Sequence, residues 1–143
     1  MCLYTTSKKV RIAKEDIICY KILVKERKNW IFRIFHKPTY RAPFYNYYTY
    51  QLKKRYYLFK SLVHVFTTYP EHPYMFNEGF HSFVDIQDAK RMLSESCYRY
   101  DKGWTIVQCI IPKGAKYVKG AIDLSENSPA GYVSDEIICV KEV

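Results

Sequence analysis

A chain of 143 residues with no glycine-, serine- or proline-rich linker reads as one domain spanning residues 1–143. Hydrophobic residues make up 48% of it, yet Lys or Arg interrupts every run before the roughly 18–20 apolar residues of a membrane helix, and Met1 to Lys9 lacks the apolar stretch of a secretory signal. The expected setting is therefore cytoplasmic, away from membranes, and the net charge of +9 is uneven: residues 1–65 hold 15 Lys and Arg against 3 acids, which makes this half the expected anion-facing side.

Taken in chain order, the first element is a strand from Ile17 to Lys25, where Ile17, Ile18, Cys19, Tyr20, Ile22, Leu23 and Val24 form a short apolar run bounded by charge. Asn29 to Phe35 alternates as a second strand that could pair back through the turn Glu26-Arg27-Lys28. From His36 to Tyr74 periodicity is weak; Pro38, Pro43, Pro70 and Pro73 mark irregular ends, and Tyr47 to Val65 is expected to hold a helix or two short ones. Phe80 to Val84 is a short strand. Asp85 then caps a helix from Ile86 to about Ser96, with Asp88 in its first turn and Ile86, Ala89, Leu93 and Cys97 on one face.

Asp101-Lys102-Gly103 turns into a strand from Trp104 to Ile111 that stops at Pro112, and Lys113-Gly114 turns again before Ala115 to Val118. A polar loop from Asp123 to Ala130 precedes a last strand from Gly131 to Val140. Strands at both ends around one clear mid-chain helix give an α+β class with a mostly antiparallel sheet.

Three constellations could carry chemistry. Gly79-Phe80-His81-Ser82-Phe83 leads into the capped helix and would bring His81 and Ser82 near backbone N–H groups that favour an anion such as phosphate. The plainer alternative is a histidine hydrogen-bonded within an edge strand. Tyr47 to Lys60 interleaves Lys53, Lys54 and Arg55 with Tyr56 and Tyr57, the mixture that neutralises phosphates and stacks on bases; the alternative is tyrosine packing with solvated lysines.

The third constellation is Ile110-Ile111-Pro112-Lys113-Gly114-Ala115-Lys116-Tyr117, a polar loop, and Ser134-Asp135-Glu136-Ile137-Ile138. Its order resembles the last third of ADP-ribosyltransferase-like domains, and Cys19-Tyr20-Lys21 and His81-Ser82-Phe83 would stand near the other two cleft motifs. The resemblance implies Glu136 as the catalytic carboxylate on a ribose hydroxyl, with Tyr20 and His81 shaping a nicotinamide pocket and Lys21, Ser82 and Ser134 beside the ligand. Tyr20 stands where most members offer arginine or histidine, and Ser134 where Glu or Gln precedes the catalytic glutamate by two. Any transferase activity should therefore be weak or missing.

The whole chain also resembles a group of small proteins of Bacteroidales bacteria and their phages, on Met1-Cys2-Leu3, Ile12 to Lys21, Gly79 to Phe83, Ile111-Pro112-Lys113-Gly114 and Tyr132-Val133-Ser134. That likeness implies a phage accessory or host-interaction role. Five cysteines, Cys2, Cys19, Cys97, Cys109 and Cys139, show no C-x-x-C spacing and read as reduced thiols, most of them packed in strands, so no metal site is signalled. P-loop, GxGxxG, G-x-S-x-G and H-E-x-x-H motifs are missing from the sequence.

The leading expectation is a non-enzymatic binding protein without a cofactor, engaging a phosphate-bearing partner, nucleotide or nucleic acid, through a basic tyrosine-rich face or cleft. The alternatives are an ADP-ribosyltransferase-like enzyme using a nicotinamide dinucleotide and a phage protein that inhibits a host protein.

Overall fold

The computed structural model describes residues 2–26, 38–42, 49–58, 62, 64–68, 70–95, 103–125 and 127–143. The strand expected over Asn29 to Phe35 lies outside them, as does most of the turn before it. The described strands are β1 (Leu3–Thr5), β2 (Arg11–Ile12), β3 (Ile17–Lys25), β4 (Thr39–Arg41), β5 (Thr49–Gln51), β6 (Lys54–Tyr57), β7 (His64–Phe66), β8 (Tyr74–Phe76), β9 (Phe80–Phe83), β10 (Trp104–Ile111), β11 (Lys116–Ala121), β12 (Ala130–Ser134) and β13 (Glu136–Glu142). One helix among the described residues, α1 (Ile86–Glu95), separates β9 from β10.

The strands form one sheet in the order β6-β13-β10-β3-β9-β12-β11-β1-β8-β7, with β2 on β11 and with β4 joining β3 to β5. Every pairing is antiparallel. The longest runs through the middle, where all of β10 from Trp104 to Ile111 pairs with β3 from Val24 back to Ile17. Because side chains alternate along a strand, β3 feeds two cores at once. Cys19 and Leu23 join Tyr40, Tyr50, Phe80, Val107, Cys109, Ile111, Ile137 and Cys139 on one face. Ile22 joins Leu3, Phe76, Phe83, Ala89, Ile106, Val118 and Val133 on the other.

Helix α1 closes the second core through Ala89, which is fully buried, with Met92 and Leu93 beside it. Its start is set locally: the Asp85 carboxylate accepts the Gln87 N–H at 2.6 Å, meeting one of the donors that a helix leaves unpaired at its N-terminus.

Two expected elements are corrected. The helix expected within Tyr47 to Val65 is replaced, over the described residues, by β5, a turn, β6 and β7. Distant pairing decides this, since β5 hydrogen-bonds to β4 and β6 to β13, and threonine and tyrosine suit a half-buried pleated surface. The last strand is two strands broken at Asp135. Up to Ser134 the chain lies between β11 and β9; from Glu136 on it lies between β10 and β6. Asp135 makes the corner by exchanging bonds with Lys116, whose N–H reaches its carboxylate at 2.8 Å while the Asp135 N–H donates to the Lys116 carbonyl at 3.0 Å.

Candidate functional site

Strands β5 and β6, with the turn between them, carry an inner aromatic pair and an outer row of cations. Tyr50 is 2% exposed, and its ring meets that of Tyr56 edge-on at 5.0 Å. The Tyr56 hydroxyl accepts the Gln51 N–H at 2.6 Å, which ties the two strands across their turn. Lys53 takes a left-handed conformation, φ 61°, uncommon for a residue with a Cβ, and its N–H donates to the Cys139 carbonyl at 2.6 Å. The turn is thereby pinned to β13.

The outer side of β6 is the edge of the sheet as described, because among the described residues β6 pairs with β13 alone. Lys53, Lys54 and Arg55 are all exposed there, and Tyr57 is 50% exposed. The Arg55 guanidinium stacks 5.2 Å from the Tyr57 ring centroid and donates through Nε and Nη2 to Glu136 Oε2, at 2.9 and 2.5 Å. The Glu136 hydrogen bond is also the main cause raising the Arg55 pKa. Lys54 Nζ lies 5.7 Å from the Tyr56 ring. Lys54 and Arg55 are held over an aromatic surface or a carboxylate, an arrangement that orders long side chains which would otherwise sample many rotamers.

The residues expected to line a nucleotide cleft lie elsewhere. Lys21 is 7% exposed; its ammonium donates to the His81 carbonyl and sits 5.6 Å from the Tyr50 ring. Burial lowers its pKa, while the thiols of Cys109, Cys139 and Cys19 act in the opposite direction. His81 is also buried, with Nε2 2.9 Å from the Phe76 carbonyl and Nδ1 3.2 Å from that of Gly79. Removal from water pushes its pKa down to about 4, and the Lys21 charge adds to that, against the pull of the two carbonyls.

Ser82 and Ser134 are fully buried. The Ser134 hydroxyl donates to the Glu136 carbonyl at 2.8 Å, whereas Ser82 Oγ has no hydrogen-bond partner of ordinary geometry and lies beside the Cys19 thiol, where it partly opposes the rise in pKa that burial causes. Tyr20 is half-buried, opposite Gln108 on one side and Phe83 on the other. The sequence-derived candidates thus divide into an interior group, Lys21, His81, Ser82 and Ser134, and a surface group of Lys53, Lys54, Arg55 and Tyr57 with Glu136. Two strands, β10 and β3, lie between Glu136 on β13 and His81 on β9.

Sequence reasoning left one cluster ungrouped. Cys19, Cys109 and Cys139 stand abreast on β3, β10 and β13. The only available signal was their position inside apolar strands, since their sequence separations form no motif. A half-open groove of about 250 Å³ between α1 and the loop after β11 is lined by Arg91, Met92, Glu95, Asp123, Asn127 and neighbours. Arg91 is already engaged there, with Asp88 at 2.9 Å and the Asn127 carbonyl at 3.3 Å.

Among the described residues no group of three or more His, Cys, Asp or Glu side chains is arranged to hold a metal ion, and no helix is long and apolar enough to cross a membrane. Comparison with protein-family models, with curated proteins and with solved structures finds no match to the chain.

Proposed function

We propose that the chain is a binding protein that engages a phosphate-bearing partner, single-stranded nucleic acid foremost, along the β5–β6 edge. The observation that carries this reading is the run of three consecutive exposed cations, Lys53, Lys54 and Arg55, beside the half-exposed ring of Tyr57. Lysines there would neutralise phosphates. Arg55 spends two of its five N–H donors on Glu136 and keeps the rest for a ligand. A base stacked on Tyr57 would add about 1–3 kcal/mol, with little dependence on sequence.

The test is fluorescence anisotropy of a labelled single-stranded oligonucleotide against wild type and the triple variant Lys53→Glu, Lys54→Glu, Arg55→Glu over a salt series. Affinity should fall roughly tenfold or more in the variant, and the salt dependence should flatten by about 0.7 per lost phosphate contact. Wild-type protein that ignores oligonucleotides and free nucleotides at low salt would end this reading.

The ADP-ribosyltransferase-like reading of fold and activity has less behind it. It needs Tyr20, His81 and either Ser134 or Glu136 around one opening, and both ring nitrogens of His81, the Ser134 hydroxyl and Glu136 Oε2 are engaged within the chain. The alternative of a phage protein gripping a host protein draws on Phe66, which is 76% exposed on β7 at the other end of the sheet.

A further inference from the structure

Strand register brings three cysteines of the interior into one row. Cys19 is the direct partner of Cys109 across β3 and β10, and Cys109 of Cys139 across β10 and β13, beside a register shift between Gln108 and Cys109. All three are fully buried in the same core. Thiols pack well as small apolar groups, so burial alone says nothing about chemistry. Two further features do. The Cys109 thiol donates to the Cys139 sulfur, placing the sulfurs 3.6 Å apart. A buried cation, Lys21, also lies within electrostatic reach of all three.

We propose that Cys109 and Cys139 form a dithiol that a hydroperoxide converts to an intramolecular disulfide. Directly opposed residues of antiparallel strands have Cα atoms about 4.5–5.5 Å apart, inside the roughly 4.4–6.8 Å that a disulfide spans. The bridge therefore needs side-chain rotation and little backbone movement. Cys139 is the thiol that attacks the hydroperoxide first. The hydrogen bond from Cys109, with the Lys21 charge behind it, lowers its pKa against the effect of burial, whereas burial raises that of Cys109 and pushes that of Cys19 up to about 11.

In the first step the Cys139 thiolate attacks one peroxide oxygen, the O–O bond breaks, and the hydroxide released takes up the proton that the thiol lost. Cys139 is then a sulfenic acid. Cys109 attacks its sulfur, the S–S bond forms, the S–O bond breaks, and water leaves with the Cys109 proton. Two thiols have given up two electrons and two protons, and hydrogen peroxide has become two waters. Access runs through the sheet edge, because the Lys53 bond to the Cys139 carbonyl and the pairing of β6 must open before an oxidant reaches the sulfur. Cys139 should therefore react more slowly than the partly exposed Cys2.

The experiment treats folded, reduced full-length protein with hydrogen peroxide, alkylates remaining thiols in denaturant, and maps peptides without reduction. The expected product is a linked pair carrying Cys109 and Cys139, two hydrogens lighter than the reduced pair and split by dithiothreitol. It should vanish in Cys109→Ser and Cys139→Ser and persist in Cys19→Ser. The wild-type map alone decides the matter if the serine variants fail to fold. Recovery of Cys109 and Cys139 as separately alkylated thiols, over-oxidation of either one alone, or a bridge to Cys2, Cys19 or Cys97 would overturn the proposal.

Discussion

Acid should destabilise this fold through His81, and the size of the effect follows from its burial. The native imidazole takes a proton only near pH 4, because it is out of water and close to the Lys21 charge, whereas an unfolded histidine does so near 6.5. Between those values the unfolded chain binds more protons than the native one. The contribution is therefore complete above pH 6.5 and is lost progressively as pH falls through the window to 4. Integrated from pH 7.5 to 5.0, the loss is about 2 kcal/mol, a sizeable part of the roughly 5–15 kcal/mol that holds a domain together. Guanidinium unfolding followed by tryptophan fluorescence at pH 7.5, 6.5, 5.5 and 5.0 measures it, with His81→Gln as reference, since an amide can donate to the Phe76 carbonyl but does not titrate. Other histidines and carboxylates act on both proteins alike and cancel in the difference. Wild-type and variant stabilities that run parallel across the series would refute the assignment.

Two further substitutions probe the frame. A Cβ at Gly120 would lie 2.2 Å from the Tyr4 carbonyl oxygen, where β11 runs against β1, so Gly120→Ala should cost about 2 kcal/mol or more and is read out as a lower denaturation midpoint. Gly114→Ala is the control for bulk, since nothing lies within 4 Å of its Cβ and only its φ of +90° opposes the change. Asp85→Ala removes the acceptor for the Gln87 N–H and should cost about 1 kcal/mol, with exchange of the first-turn amides of α1 rising more than that of β10.

What could be read from the sequence was whatever punctuation fixes locally. The strand from Ile17 to Lys25 and the one from Trp104 to Ile111 appear with their expected ends, as does the helix start at Ile86, because charge, Pro112 and Asp85 bound them. The short strands β4 to β8 were opaque, since their pairing is set by partners distant in sequence, such as β13 for β6 and β1 for β8. The break at Asp135 left no mark either. Residues Gly131 to Val140 read as one run, and only the change of neighbours divides them. The basic, tyrosine-rich stretch was visible as composition, and the structure puts part of it at the margin of the sheet formed by the described residues. The burial of Lys21 was not legible, because it depends on the strands around it: β3 is covered on both faces, and its alternation sets Lys21 with Cys19 and Leu23 inside.

That buried ammonium links features which would otherwise be separate. Burying a charge is costly unless other groups replace the water it loses. Here the His81 carbonyl, the Tyr50 ring and the neighbouring sulfurs do so. Each of them belongs to a different part of the molecule. The carbonyl belongs to the strand whose imidazole Lys21 helps to keep neutral. Tyr50 is the inner anchor of the β5–β6 segment that displays Lys53, Lys54 and Arg55. The sulfurs form the row across β3, β10 and β13. Protonation of His81 would place a second buried charge near Lys21, and oxidation of Cys109 and Cys139 would remove the thiols that now favour the ammonium. Both events raise the cost of keeping Lys21 charged and inside, and the β5–β6 segment that covers it through Tyr50 sits at the margin of the sheet, where among the described residues β6 pairs with β13 alone. Acid and oxidant should therefore loosen the β5–β6 edge before the β3–β10 centre.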